Sequence, residues 1–182
     1  RALENRTGAW KSPTEIPNKI KKLREYPQVQ GSIYFSSKSF ERNPNGWNDS
    51  LQNNYYKYPA IIPPMAWIDS VKPARPVLSN IEILNNDFTS REIIIHFSAN
   101  NFSSKIKQYA VYVSENSNAQ NQMLIKILLS GKDVYINLNK EDLSKFAHEF
   151  FLSVSAVSNT NNESDQTKKY KFIFTDHWRV EL

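Results

Sequence analysis

The chain has 182 residues, of which 40% are hydrophobic, 13% aromatic and 23% charged, and its net charge is +5. This balance is typical of a globular chain of one large or two small domains, and no apolar run approaches the ~18 residues of a membrane-spanning helix. The absence of cysteine excludes disulfides, thiolate metal sites and a cysteine nucleophile. Basic residues are scattered apart from one helix face at Lys19–Arg24, so we predict no nucleic-acid partner.

The first predicted element is a helix over residues 15–26. Ile16, Ile20 and Leu23 follow one another at i, i+4 and i+7, which places them on one helical face. Thr14 is the predicted N-cap, and Pro27 ends the helix.

A strand and a second helix are predicted next. Val29–Ser37 contains Ile33, Tyr34 and Phe35, residue types that favour a strand. After a turn signal at residues 43–46, Asn48 or Asp49 is the predicted cap of a helix that Pro59 ends. Helix, strand, loop and helix in this order are typical of the end of an α/β fold.

The prolines divide the chain into two regions. All 9 lie between Pro13 and Pro76, and five of them fall within residues 59–76. Because proline stiffens a connection and cannot donate to a β ladder, we predict a linker over residues 68–76. It would separate an α/β piece, residues 1–67, from a β domain, residues 77–182.

The region after the prolines predicts seven short strands at even spacing, which is typical of an immunoglobulin-like or fibronectin type III sandwich. The predicted strands are Val77–Leu84, Glu92–Phe97, Gln108–Ser114, Met123–Leu129, Val134–Leu138, Phe150–Ser158 and Lys169–Phe174. Within this region Phe150–Ser164 resembles the sixth strand and following turn of fibronectin type III modules, with Glu163-Ser164 after the turn. Phe150 stands where that family carries its corner tyrosine.

Residues 1 to about 70 resemble the end of a bacterial glycoside-hydrolase-like family once described as a domain of unknown function. The resemblance lies in separated motifs in the same order: Ala9-Trp10, Thr14–Ile20, Gln30–Ser37, Asn45–Leu51 and Tyr58–Pro64. It implies the last αβα segment of a (β/α)8 barrel, here helix 7, strand 8 and helix 8, followed by the sandwich. The predicted fold class is therefore mainly β with an α/β N-terminal piece.

The same resemblance implies what the protein does and where. Family members are proteins of the bacterial cell envelope, often lipoproteins, and some act on the glycan strands of peptidoglycan. The chain is accordingly predicted to be the C-terminal fragment of a secreted, glycan-acting protein. The alternative from the residues is a non-catalytic adhesion, scaffold or carbohydrate-binding module.

Glycoside hydrolysis requires two carboxylates that flank the scissile bond. Only Glu4 comes close behind a predicted barrel strand end, and it is a weak catalytic candidate beside the alternative of a solvated loop acid. The resemblance implies that the main carboxylates lie upstream and that this fragment is catalytically incomplete. No cofactor is predicted, and the wide separation of His96, His148 and His177 predicts no metal site.

Four residues are predicted to contact substrate: Trp10, Tyr34, Ser36 and Trp47. Flat aromatic faces bury a large area against a sugar ring at low entropic cost, and Ser36 follows the predicted strand with a hydroxyl group. The alternatives stay open at this point. Trp47 and Tyr34 could instead pack in the interior, and Ser36 could form a turn.

Overall fold

The computed structural model describes residues 8–34, 37–84, 90–97, 106–118, 122–129, 133–139, 149–174 and 178–181. The chain forms two compact units, Arg1–Tyr58 and Pro59–Leu182. The chain is mostly β with few helices, and its sheets are antiparallel. No helix in these described ranges is long and apolar enough to cross a membrane. Residues 59–76 are grouped with the second unit, whereas their role as a linker stays a prediction.

Short helices build the first unit. They are a 3-10 turn at Gly8–Lys11, α1 at Glu15–Arg24, α2 at Ser37–Glu41, a 3-10 turn at Pro44–Gly46, and α3 at Trp47–Ser50 with a π-helical turn at Leu51–Tyr55. Ile16 and Ile20 of α1 pack against Trp47 and Leu51 in the buried core. The predicted helix is therefore confirmed, although it ends at Arg24 rather than at residue 26. Ile16 and Ile20 of its predicted apolar face are buried, whereas Leu23 is 36% exposed.

The strand predicted over Val29–Ser37 is not present in the described part of that segment. Residues 29–34 have no regular structure, Ile33 is fully exposed, and α2 begins at Ser37. A strand is stable only when its backbone groups pair with a neighbouring strand, and the described residues of this unit supply no such neighbour. The described residues of the first unit therefore do not confirm a barrel segment built around that strand.

The described residues of the second unit contain the seven predicted strands and one more. They are β1 Leu78–Leu84, β2 Ser90–Phe97, β3 Ile106–Ser114, β4 Met123–Leu129, β5 Asp133–Asn139, β6 Glu149–Ser158, β7 Tyr170–Phe174 and β8 Trp178–Glu181. One sheet has the order β1-β2-β5 and the other β4-β3-β6-β7-β8, with every pair antiparallel. This is a two-sheet β-sandwich arrangement. β8 was not predicted from the sequence.

The strands β3 and β6 form the centre of the larger sheet and are buried on both faces. One face is apolar, since Val111 lies opposite Val154 and Val113 opposite Leu152, all at most 2% exposed. Next to them Phe150 of β6 stacks on Phe172 of β7, with ring centroids 4.6 Å apart. Phe150, Leu152 and Val154 of β6 therefore alternate along the strand and are all buried on this apolar face.

The other face of β6 and its free edge are covered by the chain that returns from the turn after β6. Val154 and Ala156 each exchange two hydrogen bonds with this segment. The Val154 amide donates to the Thr167 hydroxyl at 3.1 Å and its carbonyl accepts from the Thr167 amide at 2.9 Å. Ala156 makes the equivalent pair with Ser164. At this edge the hydroxyl groups of Ser164 and Thr167 therefore accept the hydrogen bonds that the carbonyl groups of a neighbouring strand would otherwise accept.

Candidate functional site

The first unit contains an open cavity of about 390 Å³ beside α2 and α3. Its lining residues are Tyr34, Ser37, Phe40, Asn48, Leu51, Gln52 and Tyr56. Leu51 and Phe40 belong to or pack against the buried core, so the floor is apolar. All seven lining side chains are uncharged at neutral pH, and five of them carry a hydroxyl or amide group.

One asparagine sets the start of α3 and so the position of the amides in the cavity wall. The Asn43 side-chain oxygen accepts hydrogen bonds from the backbone amides of Asn48 at 2.9 Å and Asp49 at 3.4 Å. Its side-chain nitrogen donates to the Asp49 carboxylate at 2.7 Å. The predicted caps, Asn48 and Asp49, are instead the residues whose amide groups are capped. The preceding turn needs left-handed backbone at Asn45 and Gly46, with φ of 56° and 67°.

The capped helix presents polar groups to the cavity at a spacing of four residues. Asn48, Gln52 and Tyr56 follow one another at that interval and all line the cavity. The Gln52 amide nitrogen lies 3.4 Å from the Asn48 side-chain oxygen, to which it donates. None of the three was predicted from the sequence as a cavity residue, although their common spacing was a signal that could have found them.

An aromatic wall faces these amides. Tyr34 meets Phe40 edge to face, with ring centroids 5.2 Å apart and planes at 82°. Burial raises the pKa of the Tyr34 phenol, and a hydrogen bond with Tyr56 raises it further. Both effects favour the neutral phenol, so Tyr34 is a neutral hydrogen-bonding group at physiological pH.

The predicted substrate contacts have different outcomes. Tyr34 lines the cavity, although its packing on Phe40 also fits the alternative. Trp10 does not line the cavity; the Lys19 ammonium lies 3.9 Å from its ring centroid, and Trp47 contacts it edge to face at 6.0 Å. A sugar contact by Trp10 and Tyr34 stays a prediction.

Trp47 lies in the core of the first unit with 0% of its surface exposed. Neither face of its ring is accessible to a sugar. This burial agrees with the alternative in which Trp47 packs in the interior. Its Nε1 is buried without a hydrogen-bond acceptor among the described residues. Glu4 and Ser36 lie outside the described residues, whereas the adjacent Ser37 lines the cavity.

The structure also bears on metal binding. Within the described ranges, no group of three or more histidine and acidic side chains is placed to hold a metal ion. His96 Nε2 lies 3.3 Å from a Glu82 carboxylate oxygen across β1 and β2, while His148 and His177 lie outside the described residues.

Comparison with known proteins yields one distant relative. No family model matches the chain. A search of curated proteins finds the protein named glycosyl hydrolase YngK, from Bacillus subtilis, which is 26% identical over 161 residues. The match covers 88% of this chain but only 30% of the relative. The chain therefore spans less than a third of the protein that it resembles.

Solved structures give weaker likenesses. The glycoside hydrolase domain of Endo-D from Streptococcus pneumoniae has a TM-score of 0.39 and 16% identity, over 58% of this chain and 16% of that one. OgpA from Akkermansia muciniphila has a TM-score of 0.43 and 13% identity, over 62% and 31%. The third fibronectin III domain of the human KIAA0343 protein has a TM-score of 0.36 and 18% identity, over 56% and 82%. At these scores the assignment of the second unit rests on its own strand order.

Proposed function

We propose that the chain is the C-terminal part of a bacterial glycoside-hydrolase-like protein that acts on glycans, and that its first unit supplies a saccharide-binding wall. The observation that carries the proposal is the similarity to glycosyl hydrolase YngK over 88% of the chain. The cavity of about 390 Å³ agrees with it, since its volume lies in the range of ~300–1,000 Å³ common for small-molecule sites.

The lining of the cavity suits a sugar ring. A pyranose has apolar C–H faces and a rim of hydroxyl groups, so it needs an aromatic or aliphatic surface together with neutral hydrogen-bonding groups. Tyr34, Phe40 and Leu51 supply the first, while Asn48 and Gln52 supply the second. Amide groups both donate and accept, so they match hydroxyl groups in either role.

Binding and cleavage are separate parts of the proposal. Cleavage needs two carboxylates about 5–10 Å apart, and none of the seven lining residues is acidic. The chain alone is therefore proposed to bind glycans without hydrolysing them, with the carboxylates supplied by the preceding part of a longer protein. The same proposal includes four further points. The first unit derives from a barrel, the second belongs to the fibronectin type III family, the substrate is peptidoglycan, and the protein is located in the cell envelope.

The direct test is saccharide binding by the purified chain. Chitin-type and peptidoglycan glycan oligomers are titrated by calorimetry into the chain and into a Tyr34→Ala variant. We expect weak binding, a loss of about fivefold or more on Tyr34→Ala from the lost stacking, and no released reducing sugar. Tyr26→Ala is the matched control, because Tyr26 is in the same unit, is 45% exposed and does not line the cavity. Absence of any binding, or equal losses in both variants, would contradict the proposal.

A further inference from the structure

The second unit exposes an unusual tryptophan. Trp67 is 80% exposed, and Ile68 and Val71 nearby on the same segment are 64% and 63% exposed. A single exposed apolar side chain is ordinary, but three large ones within five residues form a patch that water solvates poorly. Trp67 was not among the substrate contacts predicted from the sequence.

The segment that carries Trp67 is tied firmly to the sandwich. The Met65 amide donates to the Thr160 carbonyl at 2.8 Å, and the Asn162 side chain donates to the Asp69 carbonyl at 2.6 Å. Between these two ties the Ile68 amide closes a turn on the Met65 carbonyl at 2.9 Å. Prolines on both sides, Pro63-Pro64 and Pro73, fix further backbone angles. A ligand that stacks on Trp67 would therefore pay little for ordering the loop.

A small cleft begins at Asp69, two positions after Trp67 in the sequence. It has a volume of about 140 Å³. Its lining residues are Asp69, Val71, Lys72, Pro73, Ser158, Asn159 and Thr160. The carboxylate of Asp69 and the ammonium of Lys72 cancel in formal charge, and the hydroxyl and amide groups of the turn after β6 complete the wall.

From these observations we infer that the Trp67 turn and the adjacent cleft form a second saccharide contact, on the sandwich and separate from the cavity of the first unit. An exposed indole gives an apolar platform, while hydroxyl, amide, carboxylate and ammonium groups with no net charge line the cleft. A neutral sugar ring has both matching surfaces, an apolar face and a hydroxylated edge. A uronic acid chain or a phosphate would find no excess positive charge in the lining.

Other occupants have different signatures. A second copy of the chain that covered the patch would make the molar mass depend on concentration. A purely structural role of the patch would leave saccharide affinity independent of Trp67. Light scattering detects the first of these alternatives, and saccharide titration of Trp67→Ala detects the second.

The test uses the whole chain labelled with nitrogen-15 and titrated with cellotriose, N,N′,N″-triacetylchitotriose and trigalacturonate. The indole N–H signal of Trp67, assigned by its loss in Trp67→Ala, is expected to shift with the two neutral trimers and to stay with trigalacturonate. Trp67→Ala is expected to weaken binding at this site about fivefold to tenfold, as for loss of one stacked ring. Ile62→Ala is the matched control, since Ile62 is 60% exposed on the same segment and does not line the cleft.

The outcomes separate this site from the first one. Tyr34→Ala should leave the Trp67 shift unchanged, and a shift that disappears in Tyr34→Ala would place all binding in the first unit and overturn the inference. An unshifted Trp67 signal, an equal response to trigalacturonate, or a concentration-dependent mass in light scattering would overturn it as well. A Trp67 shift together with no saccharide binding at the cavity of the first unit would sink the first proposal and leave this one standing.

Discussion

The Tyr112 hydroxyl donates a hydrogen bond of 2.6 Å to Oε1 of Glu163, across 51 positions of sequence. This contact joins the middle of β3 to the segment that returns over β6. The same carboxylate oxygen also accepts from the Ser155 hydroxyl at 2.6 Å. Both donors lie on the same face of the larger sheet, where Ser155 is fully buried.

Removing one of these donors should destabilise the second unit. Tyr112→Phe keeps the ring but leaves the carboxylate with one donor fewer, and we expect a loss of about 1–3 kcal/mol in the free energy of unfolding. Urea denaturation of Tyr112→Phe, Ser155→Ala and the double variant measures the loss and the coupling. Because both hydroxyls share one oxygen, the two losses should not add. Strict additivity would show that the shared oxygen is energetically unimportant.

The same contact makes the second unit sensitive to alkali. Burial, followed by the hydrogen bond and the negative charge of Glu163, raises the pKa of Tyr112 above its ordinary value. In the unfolded chain the phenol ionises near pH 10, whereas in the folded chain it stays protonated to a higher pH. The ionisation of Tyr112 should therefore leave the free energy of unfolding constant below about pH 9 and lower it as the pH rises beyond about 10.

The alkaline effect is measured by urea midpoints at a series of pH values. Burial also raises the pKa of Tyr109 and Tyr170, so part of the slope should survive in Tyr112→Phe. A slope in Tyr112→Phe that equals that of the unaltered chain would argue against this role of Tyr112.

We expect Trp47 to contribute strongly to the stability of the first unit. Trp47→Ala empties the centre of the first unit and should cost about 3–5 kcal/mol. Trp47→Phe should cost less, since the indole N–H has no acceptor among the described residues and no hydrogen bond is lost. Trp67→Ala, at an 80% exposed site, should stay within about 0.5 kcal/mol. Thermal unfolding followed by circular dichroism distinguishes the three variants, and an unaffected Trp47→Ala would contradict the packing assignment.

Asn43 offers a test of the link between the helix start and the cavity. Asn43→Ala removes the cap of α3 and also strains a left-handed residue with φ of 45°, so we expect a loss of about 1–2 kcal/mol. Asn43→Gly removes the cap but tolerates the backbone, and it should cost less. Both should weaken saccharide binding, because Asn48 and Gln52 are positioned by this helix. Asn53→Ala, at an exposed position, serves as control in the same calorimetric titrations.

The spacing of apolar residues predicted those helices and strands in which the residues of one face are buried together. In β6 the apolar residues at every second position are those that are buried on the inner face, and in α1 the i, i+4 pair Ile16 and Ile20 is the buried pair. The strand prediction over Val29–Ser37 failed at the described residues 29–34 for a non-local reason. Residue types favour a strand there, but whether a strand forms depends on a partner that no local pattern specifies.

The candidate sites were less accessible to sequence reasoning. Trp47 and Trp67 look alike in sequence, since each stands in a loop-like segment close to prolines or glycine, yet one is fully buried and the other is 80% exposed. Which of them is free depends on contacts across tens of residues. The Asn43 cap was missed because it acts from five residues before the first amide that it caps, beyond the usual capping distance.

The return of residues 163–167 over β6 has a consequence for how the sandwich folds. Ser164 and Ala156 are eight positions apart, whereas the β3–β6 pair of Tyr109 and Ala156 spans 47 residues. Contacts that are close along the chain close smaller loops and form earlier. We therefore expect one edge of β6 to be hydrogen-bonded before β3 pairs with the other edge. This order would shorten the time in which β6 can aggregate with other folding chains.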